Sequence, residues 1–213
     1  MNSVSGWFIT VEGGEGAGKT TAMLSLKEKL EGEGWEVLAT REPGGSVIAE
    51  KIRAVILDPS HTEMDPRTEA LLYAAARRQH LIEKVFPHLE KGGIVLCDRF
   101  VDSSLVYQGY ARGIGVEAVK ELNRFATEGR MPDLTLYFDI DPEIGLARIS
   151  SGRGHEVNRL DAEALPFHEK VRSMYRELQQ QEPERIRQID ASGTPDLTVK
   201  KAWEEIHKKL AGR

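Results

Sequence analysis

Short apolar runs alternate along the chain with longer stretches in which apolar residues recur every three or four positions, the arrangement of β-α-β units around a parallel sheet. The runs predict strands over residues 7–11, 36–40, 94–97, 134–140 and 187–189. Helical spacing predicts helices over 20–30, 47–57, 68–89, 116–127, 142–149, 165–181 and 197–210. Two connections are rich in polar residues and glycine. Residues 107–115 follow the third strand after a short turn and are expected at the carboxyl edge of the sheet, where open α/β sheets take ligands. Residues 150–161 join two helices and read as a flap. Internal repeats and low-complexity tracts are absent from the sequence.

With 213 residues and 23.8 kDa, the chain suits one α/β domain over 1–213, with residues 150–161 as a small lid. A formal charge of −5 argues against a nucleic acid as partner, because a basic footprint would be expected there. Cations for a phosphate must therefore be gathered locally. The single cysteine, Cys97, falls in an apolar run, which favours a core thiol and a reducing cytoplasm. No stretch reaches the length of a membrane span, and the first residues lack the basic start and apolar core of a signal peptide, so no membrane partner is expected. The six histidines are scattered without metal-site spacing.

Directly after the first predicted strand come Gly13, Gly14, Glu15, Gly16, Ala17, Gly18, Lys19, Thr20 and Thr21. The G-x-x-x-x-G-K-T spacing between a strand and a helix is that of a P-loop. In such a loop backbone N–H groups wrap phosphates, the lysine reaches the β/γ oxygens and the Thr20 hydroxyl ligates Mg²⁺. Glycines remove the side chains that would block the approach, and the following helix turns the positive end of its dipole to the anion.

The third strand ends in Asp98-Arg99. An aspartate there can hold Mg²⁺ beside the loop, and Arg99 offers a rigid fork for a second phosphate; the lesser alternative is that the two merely form a surface ion pair at the strand end. After the second strand comes the turn Arg41-Glu42-Pro43-Gly44-Gly45. Further on, Tyr73 and Arg77 are four apart and share a helix face. A ring and a guanidinium so placed can grip a base, or they can belong to an ordinary amphipathic helix with the ring in the core.

The segments GGEGAGKTT, REPGG, LLYAAARRQH, CDRFVDSSLVYQGYARG, PDLTLYFDI and NRLD together closely resemble the thymidylate kinases, over nearly the whole chain. The resemblance implies the P-loop nucleoside-monophosphate-kinase fold, a five-stranded parallel sheet flanked by helices. It also implies ATP and dTMP as substrates, Mg²⁺ as cofactor, a homodimer packed through helices, and a step in dTTP synthesis. Position by position, it implies that Tyr73 stacks on thymine, Arg77 bonds the O4 edge and Gln108 addresses N3. Tyr107 would crowd the ribose C2 position, Ser103 and Ser104 would line the same pocket, and Arg41 with Arg99 would hold the monophosphate. Glu15 would approach the 3′-hydroxyl. Because the loop's variable position is Glu15 while Arg153 sits between flap glycines, the chain is similar to the bacterial type whose catalytic arginine lies in the flap. Arg148 would lie against adenine, or be a solvated helix residue. Ala76 stands where many relatives carry a polar side chain. Two rivals are another nucleoside-monophosphate or nucleoside kinase on the same scaffold, and a nucleotide-dependent switch; the N-K-x-D motif of a guanine switch does not occur.

Overall fold

A computed structural model describes residues 6–151 and 163–212. Five strands, β1 (Trp7–Gly13), β2 (Val37–Arg41), β3 (Ile94–Asp98), β4 (Leu134–Asp139) and β5 (Ile186–Asp190), form one sheet in the order β2-β3-β1-β4-β5. Every pairing is parallel; Val11 lies opposite Asp98 on one side and Leu136 on the other. The chain leaves β1 to build β2 and β3 on one flank and β4 and β5 on the other, so the order reverses at β1. A crevice opens at the carboxyl ends of strands around such a reversal.

Helices α1 (Lys19–Gly32) and α9 (Pro195–Ala211) contribute to one core layer, in which Leu26, Leu30, Ala202 and Ile206 meet Ile9, Val11, Leu96 and Phe138. On the other face Phe8, Val95 and Tyr137 pack with Leu81, Val85, Leu105, Met174 and Tyr175. Successive strand residues thus supply both layers, as expected of parallel strands covered on each side. Along the second face β1 changes character toward its carboxyl end: Phe8 is followed by Thr10 and then by the buried carboxylate Glu12.

The remaining helices are α2 (Val47–Leu57), α3 (Pro66–His80), α4 (Phe86–Glu90), α5 (Val101–Ser104), α6 (Val116–Thr127), α7 (Pro142–Ser151) and α8 (Leu165–Gln181). The continuous helix expected over 68–89 is α3 joined to α4 by a π-helical turn, Leu81–Val85, and it starts earlier because Asp65 caps the N–H groups of Arg67 and Thr68. One expectation is corrected. Residues 107–115 do not leave the third strand as a glycine-rich connection; α5 runs into a second π-helical turn, Leu105–Ala111, and only the residues beyond it form a turn. Val101, Leu105 and Val106 are pressed into the core, and that burial outweighs the weak local helix preference of Tyr-Gln-Gly-Tyr.

Candidate active site

Gly16 and Gly18 of the loop take positive φ, 69° and 80°, which bends the backbone around a hollow at the start of α1. The Gly16 position is also packed: a Cβ there would lie 2.1 Å from the Gly145 carbonyl oxygen, and one on Gly145 would lie 2.3 Å from that of Glu15. Lys19 folds back over the loop, its Nζ donating to Gly13 O (3.1 Å) and Gly14 O (2.8 Å). Burial, aided by Arg99, lowers the pKa of its ammonium, while Glu15 and Asp98 oppose the fall. An arriving anion would relieve that penalty.

A cleft of about 1240 Å³ runs along the loop from Glu15 to Thr21 and is bordered by Arg41, Arg53, Asp98, Arg99 and Arg148. Arg148 donates to the carbonyls of Ala191 (3.0 Å) and Ser192 (3.1 Å), which ties α7 to the turn after β5 at the cleft's far end. Asp98 reaches the loop because β3 is the immediate neighbour of β1. Its Oδ1 is buried and has no hydrogen-bond partner among the described residues. Thr20 is exposed to the same cleft. Orphaned carboxylate oxygen and free hydroxyl are hard donors, suited to Mg²⁺.

Arg99 occupies a left-handed backbone conformation, φ 67°, which costs a β-carbon-bearing residue about 1–3 kcal/mol. The strain is held by its N–H bonded to Val11 O (3.0 Å) and by three side-chain contacts: Glu15 Oε1 at 2.6 Å, Tyr107 Oη at 3.2 Å and Ser103 Oγ at 3.3 Å. Tyr107 donates in turn to the same Glu15 oxygen at 3.1 Å. Burial pushes the Glu15 carboxyl up, but Arg99 and Lys19 outweigh it and hold the pKa at about 2.

Behind this cluster lies a smaller cavity of about 90 Å³, to whose lining Tyr73, Arg77, Arg99, Ser103, Tyr107 and Gln108 all contribute. Arg77 is almost fully buried. It donates from Nε to Glu42 (2.7 Å), from Nη1 to Ser104 (3.1 Å) and Asn123, and from Nη2 to Phe100 O (3.0 Å). Four of its five N–H groups are thereby engaged. Glu42 is fixed from its other oxygen by His80 (2.9 Å), and His80 by Thr40 (2.8 Å).

Most residues expected at the site do converge here, with three qualifications. Ser104 stands behind Arg77 rather than on the cavity lining. Arg41 is exposed, ion-paired with Glu50 at 3.1 Å, and faces the large cleft only. Arg153, with Arg159 and Asp161, lies outside the described residues. Sequence reasoning missed Arg53, which borders both cavities while donating to Pro43 O at 2.9 Å. It also missed Glu12, whose buried carboxylate accepts from Phe100 N (2.7 Å), Ser103 Oγ (2.5 Å) and Tyr175 Oη (2.8 Å). Burial and then Asp102 raise its pKa to about 7, against the Ser103 hydrogen bond.

The family model described as thymidylate kinase matches residues 11–202. The chain belongs to the thymidylate kinase family. It is 59% identical over 206 residues to the thymidylate kinase of Halalkalibacterium halodurans, covering 97% of this chain and 98% of that one. To the thymidylate kinase of Bacillus velezensis it is 58% identical over 207 residues, again covering 97% and 98%. Its structure is similar to the crystal structure of the thymidylate kinase from Ehrlichia chaffeensis, with a TM-score of 0.78 and 28% identity over 95% of this chain and 99% of that one. The thymidylate kinase family is one of nucleoside monophosphate kinases, and the five-stranded parallel sheet is their P-loop fold. No helix among the described residues is long and apolar enough to cross a membrane.

Proposed function

We propose that the protein transfers the γ-phosphoryl group of ATP to dTMP, giving ADP and dTDP. One observation carries the reading: the large cleft and the small cavity meet at the same side chains, Glu15, Glu42, Arg53 and Arg99. A triphosphate held by the loop and a monophosphate held in the cavity would bring their phosphates together there.

The attacking oxygen belongs to a phosphate monoester with a second pKa of about 6, so it is largely ionised at neutral pH and needs no general base. The obstacle is mutual repulsion of two polyanions, and the remedy is positioning and positive charge. Lys19 would leave its two loop carbonyls for the β/γ oxygens of the donor. Arg99 and Arg53, with Arg41 at the rim, would hold the acceptor phosphate. Arg153 would bring a further cation from the lid, and closure would exclude water. Mg²⁺ held by Thr20 and Asp98 would supply charge neutralisation across the donor's phosphates.

At the base end, Tyr73 would stack on the ring, Arg77 would donate its remaining N–H to O4, and Gln108 would meet N3. Tyr107, fixed between Arg99 and Glu15, would stand at the sugar's C2 and disfavour a 2′-hydroxyl, while Glu15 would take the 3′-hydroxyl. Arg148 would flank adenine. Exposed apolar side chains on α2, α3 and α6, above all Leu71 and the 87%-exposed Phe125, support a second copy as the helical partner. The single buried thiol of Cys97 is compatible with the cytoplasm.

The test is a coupled ADP-release assay with ATP and Mg²⁺ over thymidine, dTMP, dUMP, dCMP and dGMP. Turnover should be greatest with dTMP and absent with thymidine. Equal turnover of dCMP and dTMP would overturn the base assignment, and no turnover of dTMP would overturn the activity.

A further inference from the structure

Glu69 is a carboxylate with 1% exposure in the first turn of α3. Its Oε1 accepts a hydrogen bond from Gln108 Nε2 at 2.8 Å. The same oxygen lies 3.6 Å from Arg112 Nε, so the carboxylate is also braced by a cation. Gln108 is itself 1% exposed and borders the small cavity from the π-helical turn.

An amide can present either its NH₂ or its oxygen to a ligand, and on its own it does not discriminate. A carboxylate only accepts. Beside Glu69, the amide of Gln108 must therefore turn its NH₂ away from the ligand and leave Oε1 as the group to be offered. Arg77, which borders the same cavity, can only donate. Arg77 and Gln108 together consequently offer one donor and one acceptor. That pair matches a ring carbonyl adjacent to a ring N–H and mismatches an amino group adjacent to a bare ring nitrogen.

We propose that Glu69 is a specificity-determining positioning residue, which selects the 4-oxo, N3–H pyrimidine over the 4-amino one by fixing the orientation of the Gln108 amide. The proposal rests on the reading above that Gln108 faces N3. Glu69 itself need not touch the substrate. In Glu69→Gln the neighbour could donate as well as accept, which would free the Gln108 amide to rotate and offer NH₂ to a bare N3.

The test compares kcat/KM for dTMP and 5-methyl-dCMP, which share the methyl group and differ in the edge at issue, under saturating ATP. In Glu69→Gln the ratio should fall at least about tenfold, a size in keeping with the loss of one polar discrimination. The change should come from KM for the two pyrimidines, with kcat for dTMP and KM for ATP within about twofold of wild type. Glu69→Asp, which keeps the carboxylate, should retain more of the selectivity. An unchanged ratio in Glu69→Gln, or an equal loss for both substrates, would overturn the proposal. Gln108→Leu separates it from its premise. If that variant keeps the wild-type ratio, the placement of Gln108 at the base is wrong. If it loses the ratio while Glu69→Gln does not, only the role of Glu69 fails. In the unaltered protein, the Gln108 side-chain NH₂ should exchange slowly with solvent by NMR without nucleotide; exchange at the rate of a free amide would also overturn the proposal.

Discussion

Glu15 of the phosphate loop and Arg99 at the end of β3 meet at 2.6 Å, and Tyr107 bonds both of them. Both side chains border the large cleft and the small cavity, so the contact sits where the two meet. It also neutralises a cation that would otherwise face Lys19 uncompensated.

Acid stability should report this pair. A carboxyl whose pKa drops on folding stabilises the fold above its ordinary value of 4.5 and loses that contribution as pH falls toward the folded value of about 2. Urea unfolding at pH 5, 4 and 3 should show wild type losing stability more steeply than Glu15→Gln. Parallel slopes for the two proteins would show that Glu15 is not held ionised.

Removing a cation that acts on the transferring phosphoryl group should slow chemistry far more than it weakens binding. Lys19→Ala and Arg153→Ala should each lose two to three orders of magnitude in kcat, corresponding to about 3–4 kcal/mol. Steady-state rates with both substrates saturating measure it. Near-full kcat in Arg153→Ala would remove the lid arginine from the mechanism.

Tyr107→Phe deletes the hydroxyl held between Arg99 and Glu15. Preference for dTMP over ribothymidine monophosphate should decline by about tenfold, the scale of a modest steric or polar discrimination. Competition between the two substrates checks it, and an undiminished preference would mean the sugar is read elsewhere.

Deeper in the second core layer, Arg185 grips Asp102 through two hydrogen bonds, at 2.7 and 2.8 Å. Arg185→Met strands a buried carboxylate and should cost about 3–5 kcal/mol. At about 2–4 °C per kcal/mol for a chain of this size, Tm should fall by roughly 10 °C. Asp102→Asn combined with Arg185→Met should recover much of the loss; a double variant no better than Arg185→Met would show that the stranded charge is not the cause.

Much of this architecture was legible in the residues. The strand-loop-helix context of Gly13 to Thr21, the aspartate after four apolar residues at 94–97, and the shared face of Tyr73 and Arg77 each reduce to spacing, which sequence displays directly. What escaped was whatever depends on partners distant in the chain. Glu12, Glu42 and Glu69 carry no direct sign of their burial in the sequence, because the donors that make it tolerable, Tyr175, His80 and Gln108, lie from 38 to 163 positions away. The helix through Val101 and Leu105 was hidden for a related reason, since its stability comes from the core it enters. Arg53 gave no signal, and only the way α2 packs brings it to both cavities. A hint for Glu69 did exist: it precedes Tyr73 and Arg77 at four-residue intervals and so shares their face.

The close abutment of Gly16 on Gly145 has a bearing on where charge can come from. With φ at 69° and the Gly145 carbonyl where a β-carbon would be, position 16 is barred to every side chain, arginine included, unless α7 is displaced. At that position the loop cannot carry a cation of its own, so the charge bordering the cleft comes from side chains on other elements, such as Arg53 of α2 and Arg99 after β3. Since α7 is wedged against the loop, any tilt of that helix would be felt at the donor's phosphates, making it a lever as well as a tether.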